Sequence, residues 1–457
     1  MDRRAFLKSG SLGSLLVPCS GLYAGAGVEA RPGAFVEASR EVPIAGEYDV
    51  VVCGAGPAGV CAAIEAGRKG AKTLLLEAQG CLGGIWTAGL LCWILDGQGK
   101  GGLVKEIYQR LEERHAGFAN RGGNRAFAYD PEPMKLVLEE LCLAAGVDVR
   151  LHTAVRAAHV EGGRLNIAVT ESKSGRQAWK GRVFIDCTGD GDLAAHAGCG
   201  FDYGRPDDQA AQPMSLLALI SGVRYDEIEP FVRRAEESGG ATKARLCAEI
   251  ERGGHSPSYR RPGIYPIRDD LFMLMANHEY GYCGFDASDV TKATLHARRE
   301  LFSIVESLRS LGGRWADLRI VATAEQIGVR EGRRVHGLYT VTKEDLVSGT
   351  RFDDGICRVT FGVDVHSVKR EHETKGYSQG IRSKNYDIPL RSLIAKDVDG
   401  LMMAGRCISG DFIAHSSYRV TGNAAVMGQG AGRVAALAAK EKKLPQDVGL
   451  AAARESA

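Results

Sequence analysis

The spacing of apolar residues changes several times along the chain, and each change predicts an element. Tyr48-Asp-Val-Val-Val-Cys53 is a short apolar run and reads as a strand. From Pro57 to Lys69 the chain is Ala-rich and helical, and Lys72–Glu77 is a second apolar strand, so the three form a βαβ unit. Pro133–Ala145 is amphipathic, with Met134, Leu136, Val137, Leu138, Leu141 and Leu143 apolar, and a strand follows at Asp148–Leu151. Across 154–187 the pattern alternates and turns at Glu161-Gly162-Gly163 and Ser174-Gly175. That predicts a β-meander ending in Val183-Phe-Ile-Asp-Cys187. From about 200 to 385 helices and short strands mix without parallel-sheet signals. The first pattern returns at Asp399, with an apolar strand (Gly400–Ala404), a Gly turn, and a helix of small residues up to Lys440.

These elements predict an α/β fold: a Rossmann-type cofactor domain with a β-meander, built from both ends of the chain, plus an α+β substrate or cap domain. The expected boundaries are a signal over 1–30, a linker over 31–45, and the first part of the cofactor domain over 46–199. The cap then spans 200–385, the C-terminal part of the cofactor domain 386–440, and a tail 441–457.

Composition narrows the function. The 457 residues are 44% hydrophobic and 25% charged, ordinary for a globular protein. The net charge of +2, without a basic stripe, argues against a nucleic-acid partner and for a small molecule. Gly is abundant at 59 residues, but it gathers in short motifs between apolar runs. The 12 Cys include no C-x-x-C, so zinc, thioredoxin and ferredoxin spacings are all missing, and no metal site is expected.

At the N-terminus Arg3-Arg4 precedes Phe6-Leu7-Lys8, which resembles a twin-arginine export signal, with Asp2 departing from the common pattern. Ser9–Gly27 is too weakly apolar and too interrupted for a stable membrane span. The expected location is the periplasm. The route carries folded proteins, which suits an enzyme that binds its cofactor before export.

The chemistry-bearing motif is Gly54-Ala55-Gly56-Pro57-Ala58-Gly59, a G-x-G-x-x-G between strand and helix. Its first Gly makes the tight turn, the second lets backbone N–H groups approach a pyrophosphate, and the third lets helix and strand pack closely. The helix N-terminus adds partial positive charge for the phosphates. Glu77 ends the second strand, where a carboxylate accepts ribose hydroxyls. A Gly-rich loop with Gly83 and Gly84 follows in place of a third Rossmann strand. Later, Asp186-Cys187-Thr188-Gly189-Asp190-Gly191-Asp192 runs from a strand into a Thr-Gly turn, and Gly405-Arg406 leads to a helix starting near Gly422-Asn423. Together these favour FAD over NAD as the cofactor.

On these motifs the chain resembles the bacterial FAD-dependent oxidoreductases, over about residues 46–440. Further blocks that carry the resemblance are Gly328-Val-Arg-Glu-Gly-Arg-Arg334, Val363-Asp-Val-His366, Ile388-Pro-Leu-Arg-Ser-Leu393 and Ala414-His-Ser-Ser-Tyr-Arg419. The chain is also similar to the flavoprotein part of heterodisulfide reductase, without its iron–sulfur motifs. The resemblance implies a glutathione-reductase-like FAD fold. It places Gly54, Gly56, Pro57, Ala58, Gly59, Glu77, Gly83, Gly84, Thr188, Gly189, Asp190, Gly405, Arg406, Gly422 and Asn423 around FAD, and it says little about substrate.

With one dinucleotide fingerprint and no C-x-x-x-x-C redox pair, the expected chemistry is hydride or electron exchange between a small organic substrate and FAD. An external acceptor then reoxidises the cofactor. A flavin-binding electron carrier and an NAD-dependent dehydrogenase are the alternatives. His366 and His415 are the candidate acid–base groups, and Arg419 the candidate substrate clamp, for an anionic substrate or a sugar. Arg330 and Arg333 are further candidate clamps, although Arg333 and Arg334 also fit a fixed network with Glu331 or Asp345. Cys81 is a candidate for a covalent link to the flavin.

Overall fold

β1 (Ile44–Cys53) starts ahead of the apolar run at Tyr48, because Ile44, Gly46 and Glu47 already pair with Ala178, Trp179 and Lys180. Sheet pairing, not hydrophobicity, sets its first residues. α1 (Pro57–Arg68) has Pro at its first position, where the missing N–H costs nothing and the fixed φ suits a helix. β2 (Thr73–Leu76) returns parallel to β1, completing the βαβ unit.

The computed structural model describes residues 39–118, 128–232, 239–268, 270–369 and 377–448, together with Phe35 and Glu37. The chain divides into residues 1–42 and 43–457, and every helix and strand among the described residues belongs to the second unit. The Arg3-Arg4 signal lies outside the described residues. None of the described helices is long and apolar enough to cross a membrane.

The main sheet runs in the order 148–150, 73–76, 44–53, 175–186, 164–172, 154–161. One long strand, Gly175–Asp186, joins its two parts. Along one edge it is parallel to β1; along the other, its first half is antiparallel to Arg164–Ser172 and its last residues are parallel to Leu401–Met403. The predicted meander and the predicted parallel sheet therefore share a strand. The chain passes from β1 to β2 on one side and is joined by 175–186 on the other. The crevice of such a sheet opens at the carboxyl end of β1, where Gly54 sits.

The C-terminal helix Thr421–Glu441 packs directly on α1. A Cβ on Gly428 would lie 2.0 Å from the Ala58 carbonyl oxygen, and one on Gly432 2.1 Å from that of Ala62. These glycines, which resemble a second fingerprint in sequence, serve helix–helix approach. The buried pair Glu65–Arg433 (2.9 Å) ties the same two helices.

A second, antiparallel sheet has the order 263–268, 271–275, 218–221, 319–323, flanked by the helices Gly239–Arg252 and Ala287–Ser310. Its core holds apolar residues from Met214 to Ile327, joined by Leu90 and Cys92. From Val335 onward buried apolar side chains join the first core instead. Packing thus changes cores between Ile327 and Val335.

Candidate functional site

The turn after β1 separates the three fingerprint glycines by what surrounds each. Gly54 has φ +92°, and a Cβ there would lie 2.4 Å from the Cys187 carbonyl oxygen. A Cβ on Gly59 would lie 1.8 Å from the Gly54 carbonyl oxygen. Both positions are closed by the protein's own backbone. Gly56 has nothing within 4 Å of a Cβ and lines a cavity of about 570 Å³. Its missing side chain leaves room for a ligand, as a pyrophosphate cradle requires.

Gly54, Gly56, Pro57, Ala58, Glu77, Gly84, Thr188, Gly189, Gly405 and Arg406 all line this cavity. Glu77 is 7% exposed; its Oε2 accepts from the Ala55 N–H (2.6 Å) and its Oε1 from the Gln79 N–H (2.8 Å). Burial raises its pKa, and these backbone bonds oppose the rise. Each carboxylate oxygen has a further lone pair for ribose. Thr188 is fixed by Asp186, which accepts from both its N–H (3.0 Å) and its hydroxyl (2.8 Å). Burial pushes the Asp186 carboxyl up to about 6.

Other predicted residues support the wall without forming it. Gly59 packs within the turn. Gly83 donates its N–H to the Ala55 carbonyl (2.7 Å), which lays the Gly-rich loop on the fingerprint. Asp190 accepts from Arg406 Nη1 (2.8 Å) and so orients Arg406, which lines the cavity. Gly422 and Asn423 likewise lie behind the wall. The Gly422 N–H is spent on the Leu95 carbonyl (2.8 Å), so the helix end presents Val420, Thr421 and Ala424 instead. Cys81 is also absent from the lining.

Among further residues lining the same cavity are Asp364, His366, Arg419, Arg330, Lys243, Tyr259 and Tyr377. His366 Nε2 lies 3.3 Å from Asp364 Oδ2, and His366 Nδ1 is buried without a partner. With Nε2–H donating to the carboxylate, the lone pair of the neutral ring sits on Nδ1. The ring centroid lies 4.8 Å from that of Tyr377 and 4.9 Å from that of His278. Burial, reinforced by Arg330, holds the His366 pKa well below the ordinary histidine value. Burial opposes ionisation of Asp364, but His366, Arg419 and Arg330 outweigh it and keep the carboxyl well below the usual carboxylate range.

Arg419 donates to the Asp364 carbonyl (2.9 Å), and its buried Nε has no partner. Burial draws it down to about 10, still charged at neutral pH. Arg330 donates to the Pro213 carbonyl (2.7 Å) and Ser215 Oγ (2.9 Å). Arg334 pairs with buried Glu331 (2.5 Å), as the network reading expects. Arg333 pairs with Asp192 (2.9 Å), whereas Asp345 caps a short helix with Thr342. Neither Arg333 nor Arg334 lines the cavity.

His415 lies apart from His366. It is fully buried on the helix Phe412–Tyr418, edge-on to Tyr418 and outside the cavity lining. The helix turns it into the core while Arg419, at the helix C-terminus, reaches the cavity. Lys243, Tyr259 and Gln212 were not legible in the sequence. Gln212 Oε1 accepts the His366 N–H (3.0 Å), and Lys243 Nζ lies 5.8 Å above the Tyr259 ring. These residues come from separate elements and share no motif.

A family model described as FAD dependent oxidoreductase matches residues 49–456. None of the curated proteins matches the chain. Among solved structures, it is similar to a geranylgeranyl bacteriochlorophyll reductase-like protein from Thermoplasma acidophilum, at 14% identity over 87% of this chain and 79% of that one (TM-score 0.47). It is also similar to the flavin-dependent brominase Bmp2, at 13% identity over 86% and 80% (TM-score 0.45). The myxobacterial chondrochloren halogenase CndH is 14% identical over 88% and 77% (TM-score 0.46). At these scores the likenesses do not bear on the chemistry of the site. The family match spans the βαβ unit, the Gly56 cradle and the C-terminal helix alike, and the chain belongs to the FAD dependent oxidoreductase family, with FAD as its cofactor.

Proposed function

We propose that this enzyme oxidises a small anionic organic substrate, an alcohol or amine bearing a carboxylate, and passes the electrons from FAD to an external acceptor. The observation that carries this reading is the shared cavity. The space lined by Gly56 and Glu77 is also lined by His366, Asp364, Arg419, Arg330 and Lys243. Bound FAD supplies a two-electron acceptor.

The protein's residues supply the rest. Arg419, Arg330 and Lys243 attract and orient the carboxylate, and the unpartnered Nε of Arg419 is a donor awaiting an acceptor. His366 Nδ1 takes the proton from the substrate hydroxyl or amine as hydride leaves the adjacent carbon. Asp364 holds the ring in that tautomer and stabilises the imidazolium that results. His366 is buried and Asp364 and Arg419 are half-buried, so their charges act at greater strength than in open water.

Anaerobic mixing of the holoenzyme with hydroxy acids, amino acids and neutral sugars tests this proposal. Carboxylate-bearing donors are expected to bleach the flavin, and their methyl esters to do so far more slowly. Bleaching by neutral sugars alone would overturn the anionic reading. If dithionite bleaches the flavin and no organic donor does, the electron-carrier reading replaces it. The similarity to the heterodisulfide reductase flavoprotein rests on the sequence motifs.

Export by the twin-arginine route belongs to the same proposal and is supported by Arg3-Arg4 before Phe6-Leu7-Lys8. Changing both arginines to lysine is expected to abolish periplasmic accumulation in cell fractionation. A normal periplasmic yield from that double variant would remove the assignment.

A further inference from the structure

Two buried carboxylates away from the FAD cavity sit among histidines. Glu279 and Glu300 are 3% and 8% exposed, and among the described residues their ionic partners are histidines alone. His296, one turn before Glu300 on the helix Ala287–Ser310, places Nδ1 2.8 Å from Glu279 Oε2. His255 places Nε2 3.6 Å from Glu300 Oε1. Glu279, His296 and Glu300 each offer one donor atom, all within 4.8 Å of one another. Two further atoms are buried without any hydrogen-bond partner: Glu279 Oε1 and His255 Nε2.

A simple Glu279–His296 ion pair accounts for one of these contacts. It leaves both orphaned atoms unexplained. Unsatisfied buried polar atoms are costly, and a divalent cation would take up the unpartnered Glu279 oxygen. We propose that Glu279, Glu300 and His296 bind a divalent cation, with His255 beside Glu300, and zinc is the best match to an imidazole and carboxylate donor set. A tetrahedral ion with bonds of about 2.0–2.1 Å holds its donors roughly 3.4 Å apart, so the side chains need to draw in by about an ångström. The His296 side chain is 60% exposed, which gives the ion an entry path and the ligand freedom to adjust.

The site would brace the substrate end of the cavity from behind. Glu300 accepts from the N–H (2.5 Å) and hydroxyl (2.6 Å) of Ser258, and Ser258 Oγ accepts from the His278 N–H (2.8 Å). Tyr259, the next residue, stacks on His278 with centroids 4.0 Å apart and lines the cavity. An ion on Glu300 therefore fixes the segment that presents Tyr259. The three donors are far apart in sequence or set on one helix face, and so produce no metal-binding spacing.

The test uses untagged holoenzyme, its metal content measured by elemental analysis, then stripped with a chelator and titrated with zinc chloride. One zinc per chain is expected, with a rise in the thermal midpoint on rebinding and no loss of FAD. His296→Ala is expected to bind zinc more than about a hundredfold more weakly, since even outer-sphere losses typically cost 10- to 100-fold. Glu279→Gln serves as the second variant if His296→Ala fails to fold. Zinc binding no tighter in the wild type than in these variants, or no rise in its midpoint, overturns the site.

Discussion

His366→Asn slows substrate reduction of the flavin by about a hundred- to ten-thousandfold, the usual contribution of a general base, while FAD stays bound. The expectation rests on the Asp364–His366 pair (3.3 Å) and on the unpartnered Nδ1. Asn keeps a polar side chain beside Asp364 but has no basic nitrogen at neutral pH. Stopped-flow absorbance with a substrate from the anaerobic screen measures the step directly. The pH profile supplies a second readout. Neutral imidazole is the active base, and burial holds its pKa well below the ordinary 6.5. The acid limb of the reduction rate therefore lies below pH 6.5, and the rate stays flat as pH rises through neutrality. A wild-type rate in His366→Asn would send the search for the base to Asp364 and the tyrosines. His415→Asn, by contrast, acts on the core: it alters stability and leaves the reduction rate of the folded enzyme unchanged.

Glu77→Gln weakens FAD binding about ten- to a hundredfold, measured by fluorescence titration of the apoprotein. A hydrogen bond to a charged group contributes roughly 1.5–3 kcal/mol, which sets that range. Each Glu77 oxygen already accepts one backbone N–H, from Ala55 or Gln79, so the amide nitrogen of Gln would face a donor with a donor. The substitution disturbs the fingerprint turn as well as the ribose contact. Secondary structure by circular dichroism is expected to persist, because the main sheet and the packing of α1 do not depend on this side chain. An unchanged dissociation constant would mean that the ribose is held elsewhere.

Much of the cofactor half was legible because its determinants are local. The order strand, Gly turn, helix, strand follows from apolar spacing between Tyr48 and Glu77, and the G-x-G-x-x-G needs only its own backbone to make a turn. Helix ends carried local signals too: Pro57 opens α1 as expected. The predicted strand and helix at the C-terminal end also form, as Leu401–Met403 and Thr421–Glu441. The first residues of β1 were not legible, since Ile44–Glu47 become a strand only through pairing with a chain segment far along the sequence.

The substrate half depended on packing between distant segments. His366 and His415 look alike in sequence, each in a motif-like block, yet one lines the cavity and the other is sealed in the core beside Tyr418. The rotation of one short helix decides between them, and apolar periodicity around His415 is too brief to fix that rotation. Lys243, Tyr259 and Gln212 reach the site from separate segments, and the Glu279–Glu300–His296 cluster forms from an isolated β-bridge and a helix face. The sequence by itself determined the FAD fold, because a dinucleotide cradle is made by contiguous backbone at the end of one strand. Only the tertiary structure decided which side chains meet at the far end of the cavity, because their positions depend on how the second sheet and its helices pack, and no short-range pattern encodes that.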